Sequence, residues 1–405
     1  MDNNQIILSP AQKALAINLD ESIYGSFVEI GAGQEVVRNF FRVGSASGTI
    51  AKTMSAYDKD FSDAIYGKEP DGRYVCKSRL EKMLQKEYSL LEERLDRDNY
   101  KNTRYFAFAD TISTINYSKT TKGNGWMGLR FQLTADQKPS DFIIHVLLND
   151  PDAQLQQETV GIIGANMLHA CFNETDPKER LKQLYDNLSK DKVQIDMIEV
   201  LGPAFNHVDN RLLSLTLVKE RMTDAVIFTP DGMNQQPSDI LHKKNIITIR
   251  GSFRPVTKVN IDMLERGLEK FKQNPKVKEN NIQLLFEITL SNLSAEGEVN
   301  ERDFLDRVAT HRANVMPILQ DARKPKEYFS VFGKVDVVYV DIAQPDQTKI
   351  AIDNCDMFLK KDGFFFLVIK TRSIDVTKAP KRIVEEEIQK LREKFEILES
   401  IDLHP

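Results

Sequence analysis

Apolar runs of strand length, each followed by a charged residue, are the feature of this sequence that most constrains its fold. Three such runs lie in the last hundred residues, at 314–320, 335–340 and 363–369. The residues that follow them are Asp321, Asp341 and Lys370. Helical patterns separate the later runs, and strands that alternate with helices form parallel sheets whose carboxyl ends share one edge. The pattern therefore predicts an α/β fold with these three residues at the edge where such sheets bind ligands.

The first three hundred residues show the same alternation less regularly. Strand-like runs lie at 104–109, 141–148, 193–200, 225–229, 244–250 and 281–290. A polar stretch at 291–300, rich in Ser, Asn, Glu and Gly, then interrupts the pattern, and such stretches are typical of loops and linkers. We therefore predict a separate α/β or α+β domain at 1–300 and a second domain at 303–405.

Composition excludes several classes of protein. A protein that binds nucleic acid over its whole surface needs an excess of Lys and Arg, and the net charge here is -5. Any RNA contact must therefore be local or shared with partners. No apolar run approaches the roughly 20 residues of a membrane helix, and the N-terminus lacks the features of a secretory signal, so we expect no membrane span and a cytoplasmic location. The three cysteines have no C-x-x-C spacing, which argues against a metal site.

Three strings in the tail resemble the fibrillarin family, and its archaeal form most closely. They are Asn314–Ala322, Val335–Gln347 with its Asp-Ile-Ala-Gln-Pro-Asp-Gln sequence, and Val368–Lys378. The resemblance covers about a quarter of the chain, residues 303–405, and implies the C-terminal part of a Rossmann-like methyltransferase sheet. It also implies an S-adenosylmethionine-dependent RNA 2'-O-methyltransferase acting on rRNA or tRNA, with guide RNA and ribonucleoprotein subunits as partners.

The same resemblance assigns roles to individual residues. Asp341 and Lys370 would belong to the catalytic group, Asp321 would contact the adenine end of S-adenosylmethionine, and Ala322 and Gln344 would lie beside the cofactor. Methyl transfer needs a ribose hydroxyl in line with the sulfonium methyl and nearby groups that ease loss of its proton. On spacing alone, capping of the following helices explains the two aspartates equally well.

Part of the family pattern is missing from the matched segment. In the family a glycine-rich loop follows the first strand and an acid follows the second, and residues 280–313 contain neither feature. The sequence therefore predicts a sheet that lacks its first two strands and its final one, with weak or absent cofactor binding. Residues Val43–Thr49 resemble the missing loop, but they lie far upstream, and an ordinary turn is the preferred interpretation.

Residues 1–300 resemble an uncharacterised bacterial family labelled inconsistently as nicotinate-nucleotide adenylyltransferase or TonB-dependent receptor. The first label requires a histidine pair near the N-terminus, but the first histidine is His145, which its apolar neighbours mark as a hydrogen-bonded core residue. Three hypotheses stay open: an RNA methyltransferase, a non-catalytic fusion or gene-model chimera, and a nucleotide-handling enzyme in residues 1–300. The sequence does not decide whether the chain is an active enzyme.

Overall fold

The computed structural model describes residues 7–401 except 230, 252, 254–257, 276, 279–280, 295–296, 309–314, 321 and 327–332. The chain divides into two compact units, unit 1 at Met1–Thr223 and unit 2 at Asp224–Pro405. The boundary that we predicted at 291–300 does not coincide with this division. The polar stretch instead lies inside unit 2, on the connection between two strands of one sheet. Loops within a domain have the same composition as linkers between domains, so polarity alone does not separate the two cases.

Unit 1 is built on a six-stranded mixed sheet. Its strands are β1 (Ile23–Gly31), β2 (Ile50–Ala56), β3 (Arg104–Ser113), β4 (Gly123–Phe131), β5 (Ser140–Leu148) and β6 (Val193–Leu201). Its helices are α1 (Pro10–Asn18), α2 (Val36–Val43), α3 (Lys59–Tyr66), α4 (Lys77–Arg94), α5 (Ala153–Asn173), α6 (Pro177–Lys182) and α7 (Asn210–Lys219). The strand order is β2-β1-β3-β4-β5-β6; β1 runs parallel to β2 and β3, and the later neighbours are antiparallel.

Helix α4 shows how the pattern of apolar residues positions the sheet. Its buried stripe includes Leu80, Met83 and Leu84, which recur at the three- and four-residue spacing of one helix face. This stripe packs in one cluster with Trp126 on β4 and Ile143 on β5. The packing fixes one face of the sheet and buries Trp126.

Unit 2 is built on a seven-stranded sheet. Its strands are β7 (Val226–Phe228), β8 (Asn234–Gln235), β9 (Asn245–Arg250), β10 (Ile282–Thr289), β11 (Val315–Gln320), β12 (Val335–Val340) and β13 (Leu359–Leu367). The helices in its described ranges are α8 (Pro237–Leu241), α9 (Lys258–Lys272), α10 (Leu290–Leu293), α11 (Glu301–Val308), α12 (Gln347–Phe358), α13 (Thr371–Ile374) and α14 (Pro380–Arg392). The order is β13-β12-β9-β10-β11-β7-β8, with β9 to β13 mutually parallel. The predicted α/β class is confirmed.

Two central strands of this sheet come from residues that the sequence analysis assigned to the other domain. β9 lies between β12 and β10, and β10 lies between β9 and β11. Both strands are buried on both faces along most of their length, as central parallel strands are. The prediction that the tail lacks its first two strands is therefore wrong. It failed because the boundary was placed at a polar connection, which cut these strands away from their neighbours.

Helix α12 packs on this sheet and carries side chains of the candidate site. Ile350, Ala351 and Phe358 of α12 are buried in one cluster with Val338 and Val340 of β12. Across the described ranges, no helix combines the length and the apolar character that crossing a membrane requires.

Candidate functional site at the carboxyl edge of unit 2

The carboxyl ends of the parallel strands in unit 2 form one edge of the sheet. The chain places β10 and β11 on one side of β9, and then returns to place β12 and β13 on the other side. In open α/β sheets, ligands bind at the strand ends where the order reverses in this way. The candidate site therefore lies at the carboxyl ends of β9 and β12.

Asp341 and Lys370 meet at this edge, as predicted. Asp341 follows β12 directly, and its backbone N–H donates to the carbonyl oxygen of Arg250 at 2.9 Å. The Nζ of Lys370 lies 2.6 Å from Oδ1 of Asp341. Asn260, on α9, donates from Nδ2 to the other carboxyl oxygen at 3.1 Å. Oδ2 of Asp341 therefore accepts a hydrogen bond from an amide, whereas among the described residues the buried Oδ1 has only the ion-pair contact with Lys370, which stays partly exposed to solvent.

Gln347 ties together the two loops that carry this pair. It is the first residue of α12, and it is fully buried. Its Oε1 accepts a hydrogen bond from the backbone N–H of Lys370 at 2.9 Å, and its Nε2 donates to the carbonyl of Gln344 at 2.9 Å. One buried amide thus links the backbone after β12 to the backbone after β13 and sets the position of Lys370.

The residues expected beside the cofactor follow β11 and β12. Ala322 is buried, and its carbonyl accepts a hydrogen bond from Nδ2 of Asn354 on α12 at 2.8 Å. Gln344 accepts a hydrogen bond from Nη2 of Arg323 at 2.8 Å. These bonds link the loop after β11 to α12 and to the loop after β12. Asp321 lies outside the described residues, so its predicted position stays a prediction.

A buried ion pair joins the two central strands, β9 and β10. Arg250 and Glu287 are register partners on β9 and β10, with a nitrogen–oxygen distance of 2.5 Å. Their side chains are only 4% and 0% exposed. The sequence analysis expects the cofactor's acid after a strand and therefore does not consider Glu287, which lies inside β10. It was overlooked because it lies inside the apolar run rather than after it.

Gly251 and Glu287 lie after β9 and on β10, near the residues that the resemblance places at the cofactor. A Cβ on Gly251 would lie 3.1 Å from the ring of Phe253 and 3.5 Å from the carbonyl oxygen of Asp341. A side chain there would therefore crowd Phe253, which favours glycine at position 251. Glu287 places a carboxylate beside it on β10. Together with Asp341 and Lys370, these groups fit S-adenosylmethionine.

The glycine-containing segment Val43–Thr49 has a different role. It follows α2 and leads into β2, so it lies at the amino end of that strand, whereas cofactor loops follow a strand and open a helix. Gly44 and Ser45 have positive φ values of 82° and 57°, which marks a tight turn. Asn18 closes this turn by donating to the carbonyl of Gly44 at 2.7 Å. The preferred interpretation as an ordinary turn is confirmed.

Other candidate features of unit 1 are structural. His145 is buried, and its Nδ1 lies 2.5 Å from Oδ1 of Asp196, so the prediction of a hydrogen-bonded core histidine is confirmed. The first amides of α2, where a phosphate would bind after a glycine-containing loop, are bonded to the carboxylate of Glu29. This arrangement gives no support to nucleotide handling in residues 1–223. Among the described residues, no group of three or more His, Cys, Asp or Glu side chains is arranged to hold a metal ion.

Sequence reasoning missed Asn260, Gln347 and Arg250. Gln347 closes the motif that begins at Asp341, and its place as the first residue of a helix was the available signal, since a side chain there can reach the preceding loop. Asn260 and Arg250 left no comparable signal. Their importance depends on which strands are neighbours, and this was not evident from the chain alone.

Comparisons with known proteins find similarity in the segment that contains Asp341 and Lys370. The model of the Fibrillarin family matches residues 296–405. The fibrillarin-like rRNA/tRNA 2'-O-methyltransferase of Saccharolobus islandicus is 57% identical over 99 residues, which cover 24% of this chain and 43% of the relative. That of Sulfurisphaera tokodaii is 45% identical over 153 residues, covering 34% of this chain and 66% of the relative. This longer match extends beyond residues 296–405, and the chain spans less than half the length of the first relative.

A similar solved structure is the Methanococcus jannaschii fibrillarin pre-rRNA processing protein. It shares 31% identity, covers 41% of this chain and 63% of its own, and has a TM-score of 0.29. The assignment therefore depends on the sequence matches rather than on this superposition. Residues 296–405 of this chain therefore match the Fibrillarin family, and we call them the fibrillarin segment.

Proposed function

We propose that unit 2 binds S-adenosylmethionine and methylates the ribose 2'-hydroxyl of RNA. The observation that carries the proposal is the 2.6 Å contact between Asp341 and Lys370 at the carboxyl edge of a sheet that contains the fibrillarin segment. The cofactor, when bound, supplies an electrophilic methyl group on a sulfonium. The rest of the chemistry falls to side chains that hold the hydroxyl and accept its proton.

Asp341 and Lys370 are suited to that task. The carboxylate of Asp341 accepts the hydroxyl proton, and the ammonium of Lys370 stabilises negative charge that develops on the ribose oxygen. Asn260 and Gln347 hold the two groups in place from buried positions. A 2'-hydroxyl has to enter from the solvent side, where Lys370 is partly exposed.

The cofactor would lie between β9 and the loop after β11. Asp321 would contact its adenine end, Ala322 and Gln344 would lie beside it, and the carboxylate of Glu287 would accept hydrogen bonds from its ribose hydroxyls. Because Glu287 is paired with Arg250, that contact requires the carboxylate to be shared. With Glu287 as its ribose partner, the cofactor would bind more tightly than the sequence alone predicts.

RNA would be the substrate, with guide RNA and ribonucleoprotein subunits as partners. The curated relatives are named as acting on rRNA and tRNA. Basic residues follow β13 and continue into α14, at Lys370, Arg372, Lys378, Lys381 and Arg382. Lys370 is paired with Asp341, and Lys378 and Arg382 are both paired with Glu386, so these residues supply only part of the positive charge that phosphate contacts require.

Two measurements test the proposal on the full chain. Calorimetry with S-adenosylmethionine should show micromolar binding that Asp321→Ala abolishes. A tritiated-methyl assay with guide RNA and partner proteins should show turnover, and Lys370→Ala should reduce it roughly 10²- to 10⁴-fold, the range of acid–base catalysis. Lys360→Ala is the matched control, because Lys360 pairs with Asp336 on the same two strands at the opposite edge. No cofactor binding, or equal losses in the two lysine variants, would favour the non-catalytic fusion.

A further inference from the structure

Two buried carboxyl groups face each other in unit 1. Glu29 on β1 and Asp110 on β3 are register partners on adjacent parallel strands, and the residues are 2% and 0% exposed. In the part of the chain that the structure describes, neither carboxyl has a Lys, Arg or His within ion-pair distance. Two acids therefore share a buried space without a counter-ion.

The two carboxyls differ in their hydrogen bonds. Glu29 accepts bonds from the backbone N–H groups of Val36 at 2.8 Å and Val37 at 3.3 Å. These amides open α2, so the positive end of the helix also favours a charged Glu29. Neither oxygen of Asp110 has a hydrogen-bond partner of good geometry, although the amide of Ile30 is near enough to favour its anion slightly.

The loop between β1 and α2 closes directly over Asp110. A Cβ on Gly33 would lie 2.0 Å from Oδ1 of Asp110, so only glycine allows the loop to sit there. A charged Asp110 would have no room for water between itself and this loop. The loop and the start of α2 therefore depend on the charge state of the pair.

We propose that Glu29 and Asp110 hold one proton between them, and that losing this proton loosens α2 and its loop from the sheet, which makes unit 1 sensitive to alkaline pH. Two adjacent carboxylates in a low-dielectric site cannot both stay ionised at low cost. A charged Glu29 and a neutral Asp110 satisfy the geometry of both sites.

The other charged groups on the surrounding elements do not supply the missing counter-charge. On α2, Glu35 and Arg38 form an ion pair with each other at 2.9 Å. Glu158 on α5, which packs against α2, is exposed. Lys13 on α1 is bound to Asp186 and Asn166. His169 on α5 has Lys13 and Asp186 as its charged neighbours, and on β4 the residue opposite Asp110 is Met127.

The direction of the pH effect follows from the pKa values of the pair. Burial, followed by the charge of Glu29, raises the pKa of Asp110 well above that of an ordinary carboxyl, whereas the amides of Val36 and Val37 oppose the increase in the pKa of Glu29 that its burial causes. Ordinary carboxyls in an unfolded chain have pKa values of about 4. The folded unit therefore binds more protons than the unfolded chain from about pH 4 up to the raised pKa of Asp110, so its stability is complete below that window and falls as the pH rises through it.

The chain contains a convenient probe of unit 1. Trp126 is its single tryptophan, it is buried, and it lies on β4 opposite Thr111, next to Asp110 on β3. Urea unfolding of the full chain followed by Trp126 fluorescence at pH 6, 7 and 8 should show the unfolding constant of unit 1 rising up to about tenfold per pH unit, or about 1.4 kcal/mol. Asp110→Asn should remove most of this dependence.

Glu87→Gln is the matched control. Glu87 is also a buried acid of unit 1, but it has partners in Lys52 and Tyr66. This variant should lose stability and keep the pH dependence of the wild type. The proposal is overturned if the wild type and Asp110→Asn show the same slope between pH 6 and pH 8.

A measurement on the unmodified chain covers the case in which Asp110→Asn does not fold. Infrared spectroscopy separates the carbonyl stretch of a protonated carboxyl from carboxylate bands. The wild type at neutral pH should show a protonated-carboxyl band that disappears as the pH rises past the raised pKa of Asp110. Absence of this band at neutral pH would overturn the proposal.

Discussion

Two acid–lysine pairs join β12 to β13, and they differ in their surroundings rather than in their chemistry. Asp341 and Lys370 lie 2.6 Å apart at the carboxyl edge, and their side chains are 14% and 36% exposed. Asp336 and Lys360 lie 2.9 Å apart near the amino ends of the strands, and theirs are 16% and 42% exposed. Charge, distance and exposure therefore do not separate a candidate site from a surface ion pair.

The difference lies in what holds each pair. The buried amides of Asn260 and Gln347 fix Asp341 and the backbone of Lys370. Within the described ranges, by contrast, the hydrogen bonds of Lys360 go only to the two carboxyl oxygens of Asp336. A buried side-chain amide destabilises the fold unless it is hydrogen-bonded, and an ordinary surface ion pair does not need such support. The two buried amides lie at the strand ends where the strand order reverses. They are therefore a better sign of function than the ion pair itself.

The third ion pair of this sheet, Arg250 with Glu287, should give the largest effect because it is buried. Arg250→Met leaves the carboxylate of Glu287 without its guanidinium, and we expect unit 2 to lose about 3–5 kcal/mol of stability. Hydrogen exchange of the β9 and β10 amides in the full chain measures this loss, since Trp126 reports on unit 1. The double variant Arg250→Met/Glu287→Leu should recover most of it. A loss below about 1 kcal/mol in the single variant would contradict the assigned role.

The contrast among these pairs also shows what the sequence could predict. The positions of Asp341 and Lys370 followed from apolar runs that end on charged residues, because a strand end can be recognised locally. Arg250 and Glu287 are 37 residues apart, and they meet only because β9 and β10 are neighbours in the right register. Asn260 reaches Asp341 across 81 residues for the same reason. Local patterns predict elements and their ends, whereas contacts between elements require the topology.

The domain boundary illustrates the same limit. The strand-like runs at 244–250 and 281–290 were recognised, and both are strands in the structure. The sequence does not show that they belong to the sheet of unit 2, because the polar stretch at 291–300 has the composition of a linker. A domain boundary depends on which strands pair with one another, and composition alone does not predict strand pairing.

An intermediate effect is expected at Gln347, whose amide distinguishes the two acid–lysine pairs. Gln347→Ala leaves the N–H of Lys370 and the carbonyl of Gln344 without this partner, at a cost of about 1–3 kcal/mol. Gln347→Glu keeps the acceptor and loses the donor, so it should cost less if its carboxylate can stay ionised. Hydrogen exchange at Lys370 and its neighbours measures the loosening. Lys349→Ala, on the exposed face of the same helix, should change stability by no more than about 0.5 kcal/mol. If Gln347→Ala and Lys349→Ala changed stability equally, the buried amide would not hold Lys370 in place. The two acid–lysine pairs would then no longer differ in what supports them.

The smallest effect should come from the two lysines themselves. Both side chains are more than a third exposed, so solvent screens their attraction to the aspartates, and such pairs contribute about 0–1 kcal/mol. Lys370→Met and Lys360→Met should therefore lower the stability of unit 2 by similarly small amounts, and both changes should shrink further at high salt. Chemical unfolding of the full chain by circular dichroism measures both variants under one condition. If Lys370→Met alone destabilised unit 2 by more than about 2 kcal/mol, its ion pair would be part of the structural framework, and any loss of methyl transfer in Lys370 variants would have to be explained by misfolding. If both variants instead lost similar, small amounts of stability and only Lys370→Met lost activity, the loss of activity would come from catalysis and not from misfolding.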